Sequence, residues 1–305
     1  LSSALRCGSG CSSSLSETID WREPVKDAFR FGTVGAPLST PKKPGGSVGA
    51  IQQIRALDLG AFELGWVQSV RVTEATCGLI QQCGAEQDVA VSVHAPYFIN
   101  LNADEEEWPK SRKRLMDAAF YGALAGATDI IFHPGSYFGK PPDEVLPLAI
   151  TRLRECVDEL RAAGNPVILR PETMGKTAML GSLEDTLEMS CAIPGVAPCL
   201  DFAHLHARAG DGSMNSYDEW LAVLDDYAKF LGPESLKSLH IHLSGIEYSA
   251  KGERNHLPIQ ESDFVCADLF RALLDHGCAG RILCESPAME DDALYMAGVW
   301  KELCG

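Results

Sequence analysis

Imidazoles set beside carboxylates, at the ends of short apolar runs, are the residues of this chain best suited to chemistry. Seven of its eight histidines fall where a strand would end or a loop begin. They read Val-Ser-Val-His94, Ile-Ile-Phe-His133, Asp201-Phe-Ala-His204-Leu-His206, His240-Ile-His242 and Glu253-Arg-Asn-His256. Acids end two more such runs, Leu-Arg-Pro-Glu172 and Ile-Leu-Cys-Glu285, and only His276 falls at what reads as a helix end. Mixed imidazole nitrogen and carboxylate oxygen suit zinc, manganese or iron, whereas magnesium takes fewer histidines and more water. One four-coordinate catalytic ion needs about three protein ligands and a water. Five histidines and four acids exceed that need, so the pattern implies a multinuclear centre of two or three ions.

Such a centre requires elements that bring distant residues to one place. From residue 31 onward, short apolar runs alternate with longer amphipathic stretches. The runs lie at 30–35, 61–65, 89–94, 129–133, 166–172, 196–201, 238–243 and 281–285. Helical spacing occupies 48–59, 74–83, 109–125, 144–163, 183–191, 216–231, 261–276 and 289–303. The clearest is 144–163, where Val145, Leu146, Leu148, Ala149, Leu153, Val157 and Leu160 fall on one face. Gly60, Gly84, Gly126, Gly164, Gly195 and Gly277 punctuate the joints. Eight apolar strands, each followed by a helix, predict an α/β fold, a (β/α)8 TIM barrel in a single domain. A doubly wound sheet is the competitor, but no GxGxxG follows the first strand. In a barrel the histidines and acids converge on the C-terminal mouth, where such enzymes collect reactive side chains.

Strand geometry then sorts the candidates. His240 and His242 share one face because strand side chains alternate. Only His242 is near enough to the C-terminal end to reach the rim, which leaves His240 deeper. His206, beyond His204 in the same stretch, is set aside as a supporting or exposed residue. Glu63, at the end of the second run, is a candidate to orient a ligand or a substrate hydroxyl.

Composition bounds the rest. The formal net charge of -16 argues against a protein that coats nucleic acid by bulk electrostatics, though bound cations would offset part of it. Apolar residues make up 46% of the chain, yet no run approaches the roughly 18 residues of a membrane span. The eleven cysteines form no CxxC pair, and Cys156, Cys199, Cys266 and Cys284 lie inside apolar stretches, where a free thiol is a small buried hydrophobe. An intracellular, reducing compartment is expected. Residues 1–29 are divided from the barrel domain at 30–305. Their Ser/Gly-rich start, with Cys7 and Cys11 and no hydrophobic period, reads as a disordered or loosely docked arm, processed or truncated ahead of Leu1.

Read together, several motifs resemble endonuclease IV. They are His-Ala-Pro-Tyr-Phe-Ile-Asn-Leu at 94–101, Phe-His-Pro-Gly-Ser at 132–136, Leu-Asp-Phe-Ala-His at 200–204, His-Leu-Ser-Gly at 242–245 and Ile-Leu-Cys-Glu-Ser at 282–286. The likeness spans roughly residues 30–305. Phe-Gly-Thr-Val-Gly-Ala-Pro-Leu-Ser-Thr-Pro and Gly-Glu-Arg-Asn-His-Leu-Pro are closer to a divergent, archaeal-type branch of that family. The resemblance implies a barrel with a trinuclear Zn2+ centre that cuts damaged double-stranded DNA on the 5′ side of abasic sites, in base excision repair. By position, His94, His133 and Glu172 would hold a first ion. Glu172 would bridge to a second, also bound by Asp201, His242 and Glu285. His204 and His256 would hold a third, with Glu253 in place of the family's Asp, whose own position is Arg254 here. The implied reaction is phosphodiester hydrolysis by a hydroxide between ions, with Glu172 and Glu285 as the catalytic carboxylates, Glu285 a general base, and no protein nucleophile. Tyr97 and Phe98 match residues that wedge into the duplex. The family's basic loop after the second strand appears as Gly65-Trp-Val-Gln-Ser-Val-Arg-Val, with Arg71 its one cation. Arg112, Lys113, Arg114, Lys176, Arg208, Lys251 and Arg254 are further phosphate contacts or solvated charges.

Two other functions compete. A sugar or polyol isomerase or epimerase would use the same barrel with one or two ions, Mn2+ among them, but His204 and His256 exceed its need. A non-catalytic barrel held in a larger assembly would keep the surface and part of the metal site. A monomer without membrane association is the expectation otherwise.

Overall fold

The structure, a computed structural model, describes residues 28–305. The expected arm at 1–29 and its Cys7 and Cys11 therefore lie, except for Ala28 and Phe29, outside the described residues. Eight parallel strands alternate with helices around one axis. In chain order they are β1 (Phe29–Val34), β2 (Ala61–Gly65), β3 (Ala90–His94), β4 (Asp129–Phe132), β5 (Ile168–Pro171), β6 (Cys199–Asp201), β7 (Leu239–Leu243) and β10 (Gly280–Cys284). The hydrogen-bonded order is β5-β4-β3-β2-β1-β10-β7-β6. Parallel bridges Leu169–Val196 and Glu172–Cys199 join β5 to β6 and close the ring. This is the expected TIM barrel, a single domain.

The sequence forms these elements for ordinary reasons. Both faces of a barrel strand are covered, so the strands are apolar almost throughout. Gly32 of β1 is required by closeness: a Cβ there would meet the Ala61 carbonyl oxygen at 1.8 Å. Helix α4 (Pro142–Ala162) buries Val145, Leu146, Ala149, Leu153, Cys156, Val157 and Leu160 against the barrel. Capping boxes start two others, Ser182 with Asp185 at α5 (Leu183–Ala192) and Ser216 with Glu219 at α7 (Tyr217–Leu231). The last helices, α8 (Cys266–Asp275) and α9 (Glu290–Cys304), pack Phe270 and Trp300 against Phe29 and Phe31 of β1, edge to face. The remaining barrel helices are α1 (Gly46–Ala56), α2 (Glu74–Gln87) and α3 (Trp108–Leu124).

Three elements went beyond the expected pattern. Helix α6 (Phe202–Arg208) is only seven residues long, and Asp201 caps it by accepting from the His204 amide at 2.6 Å. Strands β8 (Gly245–Ser249) and β9 (Gly252–Leu257) form an antiparallel hairpin over the mouth. Its residues, Gly-Glu-Arg-Asn-His-Leu in β9, lack apolar alternation, so periodicity could not reveal it. Strand β6 starts at Cys199 rather than 196, because Pro198 has no N–H for the ladder. Helix α8 likewise starts at Cys266 rather than 261, after a 3-10 turn at Ile259–Glu261. Cys156, Cys199, Cys266 and Cys284 are buried free thiols, and burial pushes Cys156 up to about 11 and Cys284 up to about 12. No helix among the described residues is long and apolar enough to cross a membrane.

Candidate metal centre

Parallel register brings the site together before any side chain is considered. His94 closes β3 opposite Ile131, Pro171 of β5 pairs with Phe132, and Asp201 of β6 pairs with His242 of β7. The residues that follow, His133, Glu172 and Glu285, therefore leave their strands at the same rim. The β8–β9 hairpin adds Glu253 and His256 from above. Its approach depends on Gly175, where a Cβ would meet the Glu253 Cβ at 2.6 Å, and on a Glu253 N–H bond to the Gly175 carbonyl.

All nine expected ligands join one continuous cluster. Glu172, fully buried, is its hub: Oε2 lies 3.2 Å from His94 Nε2 and 3.4 Å from His133 Nε2. Its Oε1 lies 3.4 Å from both His204 Nδ1 and His242 Nδ1. Glu285 continues the chain, 3.4 Å from His242 and 3.8 Å from His256. Asp201 is 3.4 Å and Glu253 3.6 Å from His204. Donor atoms of His94, Glu172, His242 and Glu285 fall within 4.8 Å of one another, as do those of Asp201, His204 and His256. Proximity thus groups Asp201 with the third set as readily as with the second.

The environment favours positive charge within the cluster. Burial alone would raise Glu172, but His242 and His133 outweigh it and hold the carboxyl well below its ordinary range. Burial would lower His204, yet Asp201 and Glu172 lift it well above the usual imidazole value. Burial lifts Asp201 to about 6, with His204 pulling it down and Glu172 and Glu285 pushing it up. A proton and a metal cation answer the same field.

Ring orientation is more specific. His204 Nδ1 lies 2.9 Å from the Thr173 carbonyl oxygen, and His256 Nδ1 3.2 Å from that of Glu285. Each Nδ1–H donates to its carbonyl, which leaves the Nε2 of each neutral ring as an acceptor. Those two Nε2 atoms face each other at 3.3 Å. Two lone pairs repel at that distance unless a cation, a shared proton or a metal ion, stands between them. Nitrogens bound to one tetrahedral zinc at 2.0–2.1 Å are spaced about 3.3 Å apart. The Asp201 Oδ2 beside them is buried without a hydrogen-bond partner. The donor set therefore fits a metal ion. His94 follows the same rule, its Nδ1 bonded to the Ala95 carbonyl and its Nε2 turned to Glu172.

Beneath the cluster, Glu63 lies in the middle of β2 rather than at its end, against the two histidines of β7. It accepts from Ser92 Oγ at 2.7 Å, lies 2.9 Å from His240 Nε2, and reaches His242 Nε2 at 3.0 Å. Against burial, the charge of His242 is the main influence that holds the Glu63 carboxyl well below its ordinary range. His240 stays below the rim, where burial pushes it down to about 4 against the pull of Glu63. His206 turns away to the Met214 carbonyl and Asp263, and His276 pairs with Asp225 at 2.9 Å.

At the rim, Tyr97 is 46% and Phe98 56% exposed, and the Tyr97 ring stacks on His133 at 4.9 Å. Arg71 is exposed on the loop after β2. Arg112, Lys113, Arg114 and Arg254 are tied to Glu159, Asp117, Glu107 and Glu247, and Arg208 to three backbone carbonyls. Among the described residues no ion pair engages Arg71, Lys176 or Lys251. Sequence reasoning missed Thr173, whose carbonyl aims His204 and whose hydroxyl accepts from the Asp201 amide at 2.8 Å. It also missed Gly175, and no motif marks either residue.

A family profile described as xylose isomerase-like TIM barrel matches residues 51–303. An uncharacterised protein of Methanocaldococcus jannaschii is 38% identical over 274 residues, which span 90% of this chain and 97% of that protein. Endonuclease 4 of Thermus thermophilus is 30% identical over 210 residues, 65% of this chain and 71% of the relative. The crystal structure of endonuclease IV from the same species superposes with a TM-score of 0.66 at 22% identity, covering 90% of this chain and 98% of that one. A D-tagatose 3-epimerase-like protein superposes equally well, with a TM-score of 0.66 at 18% identity over 90% of this chain and 96% of that one. These two structural likenesses speak to the fold alone.

Proposed function

Because this chain belongs to the xylose isomerase-like TIM barrels, and among them to the endonuclease IV-like family, we propose that it is a metal-dependent phosphodiesterase that cuts the DNA backbone on the 5′ side of abasic sites. The observation that carries the metal reading is the His204–His256 pair, two Nε2 atoms facing each other at 3.3 Å with their outer nitrogens committed to carbonyls and the unbonded Asp201 Oδ2 beside them. In this reading His94, His133 and Glu172 hold one ion, and Glu172, Asp201, His242 and Glu285 a second. His204, His256 and Glu253 hold a third, with Asp201 close enough to share it. Zn2+ is the ion of choice for so nitrogen-rich a set, with Mn2+ the substitute. When bound, such ions make water acidic enough to ionise near neutral pH and offset the charge of a phosphoryl group.

The chain's own residues then divide the remaining work. Glu172 keeps a negative charge at the hub and fixes four imidazoles around it. Glu285, less buried than Glu172, takes the proton of the attacking water on a carboxylate oxygen. Tyr97 and Phe98 wedge against the bases beside the lesion, and Arg71 meets a backbone phosphate. Work in a reducing compartment accords with the buried free thiols.

The isomerase reading draws on the equal superposition of an epimerase-like barrel. One preparation separates the possibilities. Metal per chain is measured by mass spectrometry, and a duplex with a single abasic site is then offered. Two or three ions and incision on the 5′ side support the proposal. Metal without incision, together with turnover of a ketose–aldose panel, would replace it with an isomerase. Neither activity, in a protein whose fold survives chelation, would leave a non-catalytic barrel.

A further inference from the structure

Beside the metal centre lies a groove of about 410 Å³ that runs from Tyr97 and Phe98 at the rim to Phe138 and Met179. That volume falls within the range of about 300–1,000 Å³ typical of small-ligand sites. Tyr97 joins it to the centre, and its walls include Phe98, Arg114, Phe138 and Met179. Phe138 is unusual on two counts. It is 65% exposed, and its backbone has φ of 51°. A large side chain at positive φ is an outlier in protein backbones.

Phe138 and Gly139, with φ of 51° and 74°, form the centre of a turn closed by the Lys140 N–H bond to the Tyr137 carbonyl. Two central residues at positive φ make a primed turn, where asparagine or glycine is the comfortable choice. Hydrogen bonds from neighbouring segments hold both sides of this turn. Asn102 donates to the carbonyls of Ser136 and Tyr137, Tyr137 donates to Asp185, and the Phe138 N–H is held by Ser136 Oγ. The chain thus holds an aromatic ring out into solvent, on a rigid mount, in a conformation that costs free energy. Such outliers concentrate at ligand sites.

Charge narrows the ligand. The one cation in the groove, Arg114, is bonded to Glu107 and to the Phe98 carbonyl, and Asp104 adds a further acid. A phosphate would find no net positive charge there, whereas a neutral flat ring would find two exposed aromatic walls. We infer that this groove is a stacking subsite for one unpaired nucleobase of the strand whose backbone lies at the metal centre. The choice of a nucleobase rests on the phosphodiesterase reading. The flat, uncharged character of the ligand rests on the groove itself.

The test uses the whole metal-loaded protein and a single-stranded oligonucleotide carrying 2-aminopurine. Wild type should quench the 2-aminopurine fluorescence on binding. Phe138→Asn suits the turn, so it removes the ring without endangering the fold. It should weaken binding about tenfold, within the range for losing one base-stacking aromatic. Phe138→Tyr should restore it. Equal binding by wild type and Phe138→Asn, or no quenching at all, would overturn the subsite. Incision of an abasic duplex is scored separately. Quenching without incision refutes the phosphodiesterase and leaves the subsite standing, while incision without quenching does the reverse. A wild-type dimer that Phe138→Asn dissociates in sedimentation would make the groove a self-contact and also overturn the proposal.

Discussion

The two ends of this barrel both bury charge, and they do so in opposite ways. At the N-terminal floor, Asp129 accepts from Arg170 Nε and Thr128 Oγ1 and pairs with Arg281 at 3.1 Å. Arg170 spends its remaining donors on the carbonyls of Pro198 and Ser238. Burial would raise Asp129, but the two guanidiniums override it and hold the carboxyl far below its ordinary range. Every charge there has its partner within the chain. At the C-terminal mouth Glu172, Asp201, His204 and His242 are as deeply buried, yet the Nε2 atoms of His204 and His256 face each other at 3.3 Å, and Asp201 Oδ2 has no hydrogen bond. A buried polar network left incomplete costs stability unless something from outside completes it. The floor completes its own polar network, and the mouth leaves its network open to a guest, as the proposed function requires.

The comparison breaks most visibly at Glu172. If the mouth depends on bound ions, Glu172→Gln should abolish abasic-site scission and lower the metal content. Retained scission would sink the site assignment. At the floor, Asp129→Ala should act on stability instead. Leaving two buried guanidiniums without their carboxylate should cost about 3–5 kcal/mol in urea unfolding. Metal stoichiometry should stay unchanged. A loss of metal without a loss of stability would reverse the roles assigned to the two ends. Glu63 lies between them and sharpens the boundary. Glu63→Gln removes the charge facing His242 while keeping the shape, and should weaken metal affinity or turnover by about 10–100-fold, as other outer carboxylates do. An effect on unfolding alone would assign Glu63 to the floor.

Much of this was legible in the sequence, and unevenly so. The eight strands were readable because barrel strands are buried on both faces and stand out as apolar runs between helical periods. His94, His133, Glu172 and Glu285 were readable because each ends such a run. His204 was marked by the Asp-x-x-His spacing, which is also the spacing of a helix cap. Glu253 and His256 were harder, since the hairpin that carries them has no apolar alternation. Their place over the mouth depends on Gly175, nearly eighty residues away in the chain. Phe138 carried no signal, because its meaning lies in a backbone angle.

The sequence by itself determined which side chains could bind ions and which strand ends would present them. Both follow from local pattern, because hydrophobic periodicity and residue chemistry are properties of neighbours in the chain. Only the tertiary structure decided which nitrogen of each imidazole faces inward, that Asp201 sits between two groups of donors, and that a constrained phenylalanine stands beside them. Those depend on carbonyls, carboxylates and glycines brought together from distant segments, and closure of the barrel supplies such contacts where local pattern cannot.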